Sequence, residues 1–267
     1  MTKTVLITGA SKGIGLSTGI FLKEKGFKVF GTSRNPDRFS DHPFELLPLD
    51  VTDPQSILEC VQLLRTKTHS LEVLINNAGA GITGPIEEIS EAEMKRNFET
   101  NFFGPVAMIK AVLPIMRENK FGLIINITSI AGYMGLPFRG IYSASKGALE
   151  LVTEAISMEV KPFGINAVNF APGDVATDIA AGRYHSPLEK DSPYVDTYGK
   201  SLALMDDHVD SGKNPMVIAK ALYAIITTNK PKIHYKEGEA LQKFSIALKR
   251  ILPDRWYEKM LMNHYKL

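Results

Sequence analysis

Residues 4–15 read Thr4-Val5-Leu6-Ile7-Thr8-Gly9-Ala10-Ser11-Lys12-Gly13-Ile14-Gly15. Val5, Leu6 and Ile7 are apolar in succession, without the alternation of a strand that keeps one face in water. Such a run suits a parallel sheet covered by helices on both faces. The three glycines that follow stand at spacing four, then two, and an amphipathic stretch over 13–25 comes next. Glycine lets a backbone turn tightly and approach a phosphate, while the start of a helix offers free N–H groups and its positive dipole end. Strand, glycine turn and helix in this order predict a pyrophosphate-binding unit with Gly9, Ser11, Lys12, Gly13, Ile14 and Gly15 at the phosphates. The plain alternative is an ordinary glycine-rich turn.

The same rhythm runs outward along the chain. Strands are expected at 28–32, 45–49, 73–76, 123–128, 166–170 and 232–235. Helices are expected at 54–67, 91–117, 143–161 and 215–228. This alternation predicts an α/β fold, a doubly wound parallel sheet of about seven strands flanked by helices on both faces. No repeat or linker divides it, so residues 1–267 are expected to form one domain. Two stretches break the rhythm. Residues 176–214 lack clean periodicity and are expected to form a substrate lid. Residues 236–267 are expected to form a helical extension.

Composition narrows the functional classes. The 267 residues are 44% hydrophobic and 22% charged, with a net charge of +2, which excludes a disordered chain. The balance of 31 Lys plus Arg against 29 Asp plus Glu gives no electrostatic reason to expect nucleic acid. No apolar run approaches the ~18 residues of a membrane-spanning helix. The start of the chain has no signal-peptide pattern, so a cytoplasmic location is expected. Cys60 is the only cysteine and the six histidines lack ligand spacing, so no metal is expected.

The end of the second strand bears on the choice of nucleotide. NAD-preferring sites usually place a carboxylate there for the ribose 2′-hydroxyl, but here stand Ser33 and Arg34. With Lys12 in the glycine loop, they suit a 2′-phosphate, which Arg can clamp bidentately. NADP(H) is therefore expected over NAD(H). Asp50, before Val51, is placed to accept from an adenine amino group, and Asp53 is the better candidate for a helix cap. A literal G-x-G-x-x-G at Gly79, Gly81 and Gly84 precedes Pro85 rather than a helix. It is expected to be a loop that happens to match the pattern.

Tyr142 and Lys146 lie four apart at the start of a helical segment, on one face about 5 to 6 Å from each other. An ammonium beside a phenol stabilises the phenolate and makes proton exchange with a substrate oxygen feasible. Together with its other motifs, the chain resembles the short-chain dehydrogenase/reductase superfamily, whose fold is of the Rossmann type. The family loop T-G-x-x-x-G-x-G corresponds to Thr8–Gly15, N-N-A-G to Asn76–Gly79, and Y-x-x-x-K to Tyr142–Lys146. The active-site Asn and Ser correspond to Asn101 and Ser129, and the P-G turn to Pro172-Gly173 with Thr177 beyond.

The resemblance implies an oxidoreductase acting on a CH–OH group. Tyr142 would be its general acid or base. Lys146 would hold the nicotinamide ribose, Ser129 the substrate oxygen, and Asn101 a water that relays protons. Asn77, Ala78 and Gly79 would line the adenosine side, and Pro172, Gly173, Val175 and Thr177 the nicotinamide end. Asn76 would tie neighbouring strands together. Asn126-Ile127-Thr128, a glycosylation pattern, is expected to lie inside a strand. Singly, Ser129 reads as a strand-end cap and Asn101 as a helix polar residue.

Substrate and partners are read from apolar residues. Ile179, Tyr184, Leu188, Tyr194, Tyr198, Leu202, Leu204 and Met205 of the lid, facing Met134, Leu136, Pro137 and Phe138, suit a hydrophobic carbonyl or alcohol. They equally suit a lid that packs down on itself. A small polar keto compound or sugar is the competing substrate, and a non-enzymatic dinucleotide sensor the competing role. Ser33-Arg34-Asn35 and Leu252-Pro253-Asp254-Arg255 look most like the hydroxysteroid and retinol dehydrogenase branch. The tail from Lys230 carries nine Lys/Arg against four Asp/Glu. It is expected to pack over the substrate site or a subunit contact, in preference to an anionic membrane surface. The resemblance also implies a homodimer or homotetramer. Val106, Ile109, Val112, Leu113, Met116, Leu149, Val152 and Ile156 are available for it, some of them turned to the sheet instead.

Overall fold

The computed structural model describes residues 2–177, 182–210 and 212–267. Seven strands form one sheet: β1 (Thr4–Ile7), β2 (Lys28–Ser33), β3 (Glu45–Pro48), β4 (Val73–Asn76), β6 (Gly122–Ile127), β7 (Ile165–Pro172) and β9 (His234–Glu237). Their order is β3-β2-β1-β4-β6-β7-β9, and every pair is parallel. A second, two-stranded sheet pairs β5 (Ile82–Thr83) with β8 (Tyr184–His185). The helices are α1 (Gly13–Glu24), α2 (Pro54–Lys67), α3 (Glu91–Phe98), α4 (Gly104–Glu118), α5 (Gly140–Val160), α6 (Val195–Asp210), α7 (Pro215–Ile226), α8 (Ala240–Ile251) and α9 (Asp254–Tyr265).

The unbroken apolar runs are explained by burial on both faces. Successive side chains of a strand point to opposite sides. Leu6, Phe30, Leu74 and Ile124 pack with Ile57 and Leu64 of α2 and Met108 and Val112 of α4. Their neighbours Val5, Ile7, Val29, Ile75 and Ile125 pack with Leu22 of α1 and Ile218 and Leu222 of α7 on the other side. This is the doubly wound Rossmann-type sheet expected from the sequence. The polar interruptions pair with one another. Asn76 Nδ2 donates to Asn126 Oδ1 at 2.8 Å, and Asn126 Nδ2 donates to Thr153 Oγ1. Asn126 is fully buried in β6.

The structure corrects one element. The helix expected at 91–117 is two helices joined by a π turn at Glu99–Phe103. Pro105 lacks the N–H that a continuous α ladder would use. The wider turn puts Asn101 at its centre, fully buried, as π turns often do at functional sites. Of the helix residues expected at a subunit contact, Ile109, Val112, Met116 and Leu149 are buried in the protein's own core. Val106, Leu113, Val152 and Ile156 are half-buried, and the large exposed apolar residues nearby are Leu151 and Met158 of α5.

Candidate active site

Strand order reverses beside β1: β2 and β3 lie to one side of it, while β4 and β6 continue on the other. Loops leaving such a switch point diverge and open a crevice at the carboxyl ends of the strands. Here the two loops are laced together. Thr8 Oγ1 accepts from the backbone N–H groups of Asn77 and Ala78, each at 3.0 Å. In return Asn77 Nδ2 donates to the carbonyls of Thr8 and Gly9, each at 2.9 Å.

The glycine loop has the backbone that its composition predicts. Gly9 and Gly13 have φ of +63° and +58°, in the left-handed region that disfavours other residues. At Gly15 a Cβ would stand 2.6 Å from the Gly9 carbonyl oxygen and 2.7 Å from Asn77 Nδ2. No side chain of the N-cap residue Lys12 takes up the first N–H groups of α1. A glycine-rich turn ending on a helix start whose N-cap side chain makes no capping bond fits a pyrophosphate. We expect Gly15→Val to abolish dinucleotide binding in a fluorescence titration. It should also cost about 1–3 kcal/mol of stability by overpacking, seen as a lower Tm.

The other residues expected at a cofactor lie at or beyond the carboxyl ends of β2, β3 and β7. Ser33 ends β2 and Arg34 is exposed beside it. Asp50 Oδ1 accepts from the N–H and hydroxyl of Thr52, and Asp53 caps α2 through Gln55 N. Val51 packs under Gly104 at the start of α4. Thr177 approaches Gly13: a Cβ on that glycine would lie 3.5 Å from it. Pro172 ends β7, Val175 bridges to Lys213, and Gly173 lies under the Gln242 side chain of α8.

Ser129 follows β6 and caps the 3-10 turn at Ile130–Tyr133 through Ala131 N. That turn lies directly on α5, where a Cβ on Gly132 would stand 3.1 Å from Gly147 N. This close backbone approach brings Ser129 beside the first two turns of α5, which carry Tyr142 and Lys146. Lys146 is 5% exposed and donates to the Ile127 carbonyl at 2.9 Å. Burial pushes its ammonium down to about 8. Asn101 Oδ1 and Lys146 Nζ flank Gly79, 3.2 and 3.4 Å from where its Cβ would stand. The Asn101 amide bonds both the N–H and carbonyl of Ala80, as well as Asn97 and Ser145.

Four further polar residues surround this group. Arg139 lies over the Tyr142 ring, its Cζ 5.4 Å from the centroid. Arg183, with a side chain only 5% exposed, pairs with Asp206 at 3.2 Å. Burial, then the charge of Arg139, holds its pKa below the usual range, against the pull of Asp206, Tyr142 and Asp174. One turn beyond Lys146, Glu150 is buried and pushed up to about 7. Thr128 Oγ1, from the residue before Ser129, donates to Glu150 at 3.5 Å, and burial is the main cause of the rise. The spacing of Glu150 from Lys146 was visible in sequence, whereas nothing in sequence marks Arg139 or Arg183.

The literal G-x-G-x-x-G has a structural purpose. Gly81 and Gly84 leave room for Arg183 and Ser186, which flank β8. The lid packs down in part. Tyr198 bonds Thr83 at 2.9 Å and stacks at a tilt on Phe138, while Tyr194 bonds Glu87. Met134 and Leu136 join Ile246 and Tyr257 under α8 and α9. Ile179, expected in the lid wall, lies outside the described residues.

Fold and site together define an oxidoreductase of the dinucleotide-binding α/β class. The profile of the short chain dehydrogenase family matches residues 3–187, and the chain belongs to that family. It is 39% identical over 264 residues to a 3-ketodihydrosphingosine reductase of Bacteroides thetaiotaomicron, covering 98% of each chain. It is 31% identical over 251 residues to retinol dehydrogenase 8 of Homo sapiens, covering 86% of this chain and 80% of the relative. A short-chain dehydrogenase from Streptomyces avermitilis superposes with a TM-score of 0.80 at 29% identity, covering 93% of this chain and 95% of that one. Neighbours of the same fold have been solved with NADP or with NAD.

Proposed function

We propose that this protein is an NADP(H)-dependent oxidoreductase that interconverts a carbonyl and a secondary alcohol on a lipophilic substrate. The observation that carries the reading is the setting of Lys146. Its buried ammonium lies one helical turn from Tyr142, beside Gly79 and behind the turn that presents Ser129. A nicotinamide dinucleotide held at Gly9–Gly15, Ser33, Arg34, Asp50, Val51 and Asn77–Gly79 would supply or accept the hydride. Pro172, Gly173, Val175 and Thr177 would close on its nicotinamide end.

The protein's own residues handle the proton. Tyr142 gives it to the substrate oxygen in reduction and takes it in oxidation. Ser129 donates a hydrogen bond to that oxygen and stabilises the charge that gathers there. Lys146, one helical turn from Tyr142, sets its charge beside the hydroxyl that exchanges the proton. The Asn101 side chain is fully engaged, so its amide fixes the Ala80 loop against α5, where Lys146 and the proton path lie.

The substrate class rests on the relatives and on the mouth of the site. A 3-ketodihydrosphingosine reductase and a retinol dehydrogenase both bear names of long apolar substrates. Arg139 lies over Tyr142, and Arg183, which feels Arg139, Tyr142, Asp174 and Asp206, gathers charges of both signs around itself. A polar head beside the reacting carbonyl, with an apolar chain behind it, suits that lining. Two copies would pair through α4 and α5, using Leu113, Val152 and Ile156 with the exposed Leu151 and Met158.

Purified protein offered NADPH with 3-ketodihydrosphingosine, retinal and a small sugar ketone tests the substrate. Oxidation of NADPH with the lipids alone supports the reading, and turnover of the sugar ketone alone sinks it. Calorimetry tests the nucleotide. NADPH should bind at least about tenfold tighter than NADH, a gap of ~1.4 kcal/mol that Arg34→Ala removes. Equal affinity for both in the native protein would defeat the NADP assignment.

A further inference from the structure

Helix α8 has two faces with different partners. Its inner face holds Ile246 in a small core with Ile130, Met134 and Tyr257. From the same face Gln242 donates to Asp174, beside the turn at Gly173. Its outer face carries Leu241, Phe244 and Ile251, which are 69%, 56% and 77% exposed. Spaced at i, i+3 and i+10, they share one side of the helix, while half-buried Leu248 between them leans on the inner core. Trp256, in the first turn of the next helix, α9, is 71% exposed. Isolated exposed apolar residues are ordinary, but several large ones on one side of a helix mark a contact surface.

Charge decides what covers it. The chain before Lys230 is net −3, and the remainder carries nine Lys/Arg against four Asp/Glu. Arg255 is paired with Glu258 and Lys249 with Asp254. Lys243, Arg250 and Lys259 are exposed and form no ion pair among the described residues. A second copy docked face to face across a two-fold axis would set one basic tail against another. An apolar stripe flanked by unpaired cations, with an exposed tryptophan in the next helix, matches an anionic lipid surface. Among the described residues no helix is long and apolar enough to cross a membrane, so the contact is with the surface.

We infer that α8 and the start of α9 dock this protein on anionic bilayers, with Leu241, Phe244, Ile251 and Trp256 entering the headgroup boundary and Lys243, Arg250 and Lys259 meeting lipid phosphates. The inner face of the same helix touches Asp174 and the turn after Ser129, so docking sets the mouth of the site at the lipid boundary. This surface goes beyond the substrate reading and stands or falls without it.

Vesicle flotation tests the surface directly, using phosphatidylcholine alone and an equimolar mixture with phosphatidylglycerol. The protein should float with the mixed vesicles, fall away from them in high salt, and bind phosphatidylcholine far less. Trp256 is the only tryptophan, so its emission reports the contact and should shift to shorter wavelength as mixed vesicles are added. Leu241→Ser with Phe244→Ser should weaken partitioning about tenfold or more, while NADPH affinity and Tm stay unchanged. Lys243→Glu with Arg250→Glu, which keeps the stripe, should remove the preference for phosphatidylglycerol. Failure to float with either vesicle overturns the inference, as does flotation that neither variant alters. Concentration-dependent dimers that the serine variant abolishes, with Trp256 emission already blue-shifted and indifferent to lipid, would assign the stripe to a second copy instead.

Discussion

Tyr142→Phe should reduce turnover about 10²–10⁴-fold, the usual range for loss of a positioned proton donor. Only an oxygen is removed. The ring beneath Arg139 remains, as does the first turn of α5, so the fold and the glycine cradle should be untouched. NADPH affinity by calorimetry should therefore change less than about threefold, while kcat with the best ketone collapses. Single-turnover kinetics at saturating NADPH place the loss in the chemical step if the observed rate falls as far as kcat. A variant that kept more than a tenth of the native rate would remove Tyr142 from the proton transfer. The general acid would then have to be sought among its neighbours. If rate and NADPH affinity fell together, the change would instead have disturbed the crevice, and the substitution would say nothing about the proton.

Much of this site is legible in the chain because the fold delivers it locally. The glycine turn after β1, the Asn77 loop after β4, Ser129 after β6 and Pro172 at the end of β7 all sit at carboxyl ends of parallel strands. Any doubly wound sheet gathers such positions along one edge. Alternating burial on two faces made the strands readable from Val5-Leu6-Ile7 onward. The break at Asn101 was not readable. Residues 91–117 keep helical periodicity through it, and the cause is a π turn before Pro105.

Contacts between distant segments were hidden for a related reason. Arg183 reaches the neighbourhood of Tyr142 because Gly81 leaves room for it. The seating of Gln242 on Asp174 depends on how α8 returns across the sheet. In sequence these are an arginine in an irregular stretch and a glutamine in a helix. The exposed outer stripe of α8 was present in the pattern, but only packing shows which apolar residues of the tail face inward.

Lys146 gives the second large effect, with a sign that its burial fixes. Its ammonium is held by the Ile127 carbonyl and pushed down from 10.5 to about 8 by burial. The charged form, which favours proton exchange at Tyr142, is full below that value and is lost above it. The kcat/KM for ketone reduction, which reports groups of the free enzyme, should therefore fall as pH rises through about 8. Lys146→Met, which leaves no charge at any pH, should lower kcat/KM about 10²-fold or more and flatten that limb. Lys146→Arg keeps its charge throughout this range, so its limb should move upward even though the larger group lowers the absolute rate.

Stability must move in the opposite sense from the activity. Between about 8 and 10.5 the unfolded chain holds a proton on Lys146 that the folded one has released, so this residue makes unfolding harder as pH rises across that window. Below about 8 the lysine is charged in both states and burial of the ammonium is a standing cost. Lys146→Met removes that cost, so denaturant unfolding at neutral pH should find the variant as stable as the native protein or more so, despite its lost activity. A Met variant less stable at pH 7 and no flatter in its pH profile would mean that the ammonium is held by compensating bonds. The falling limb of activity would then belong to another group.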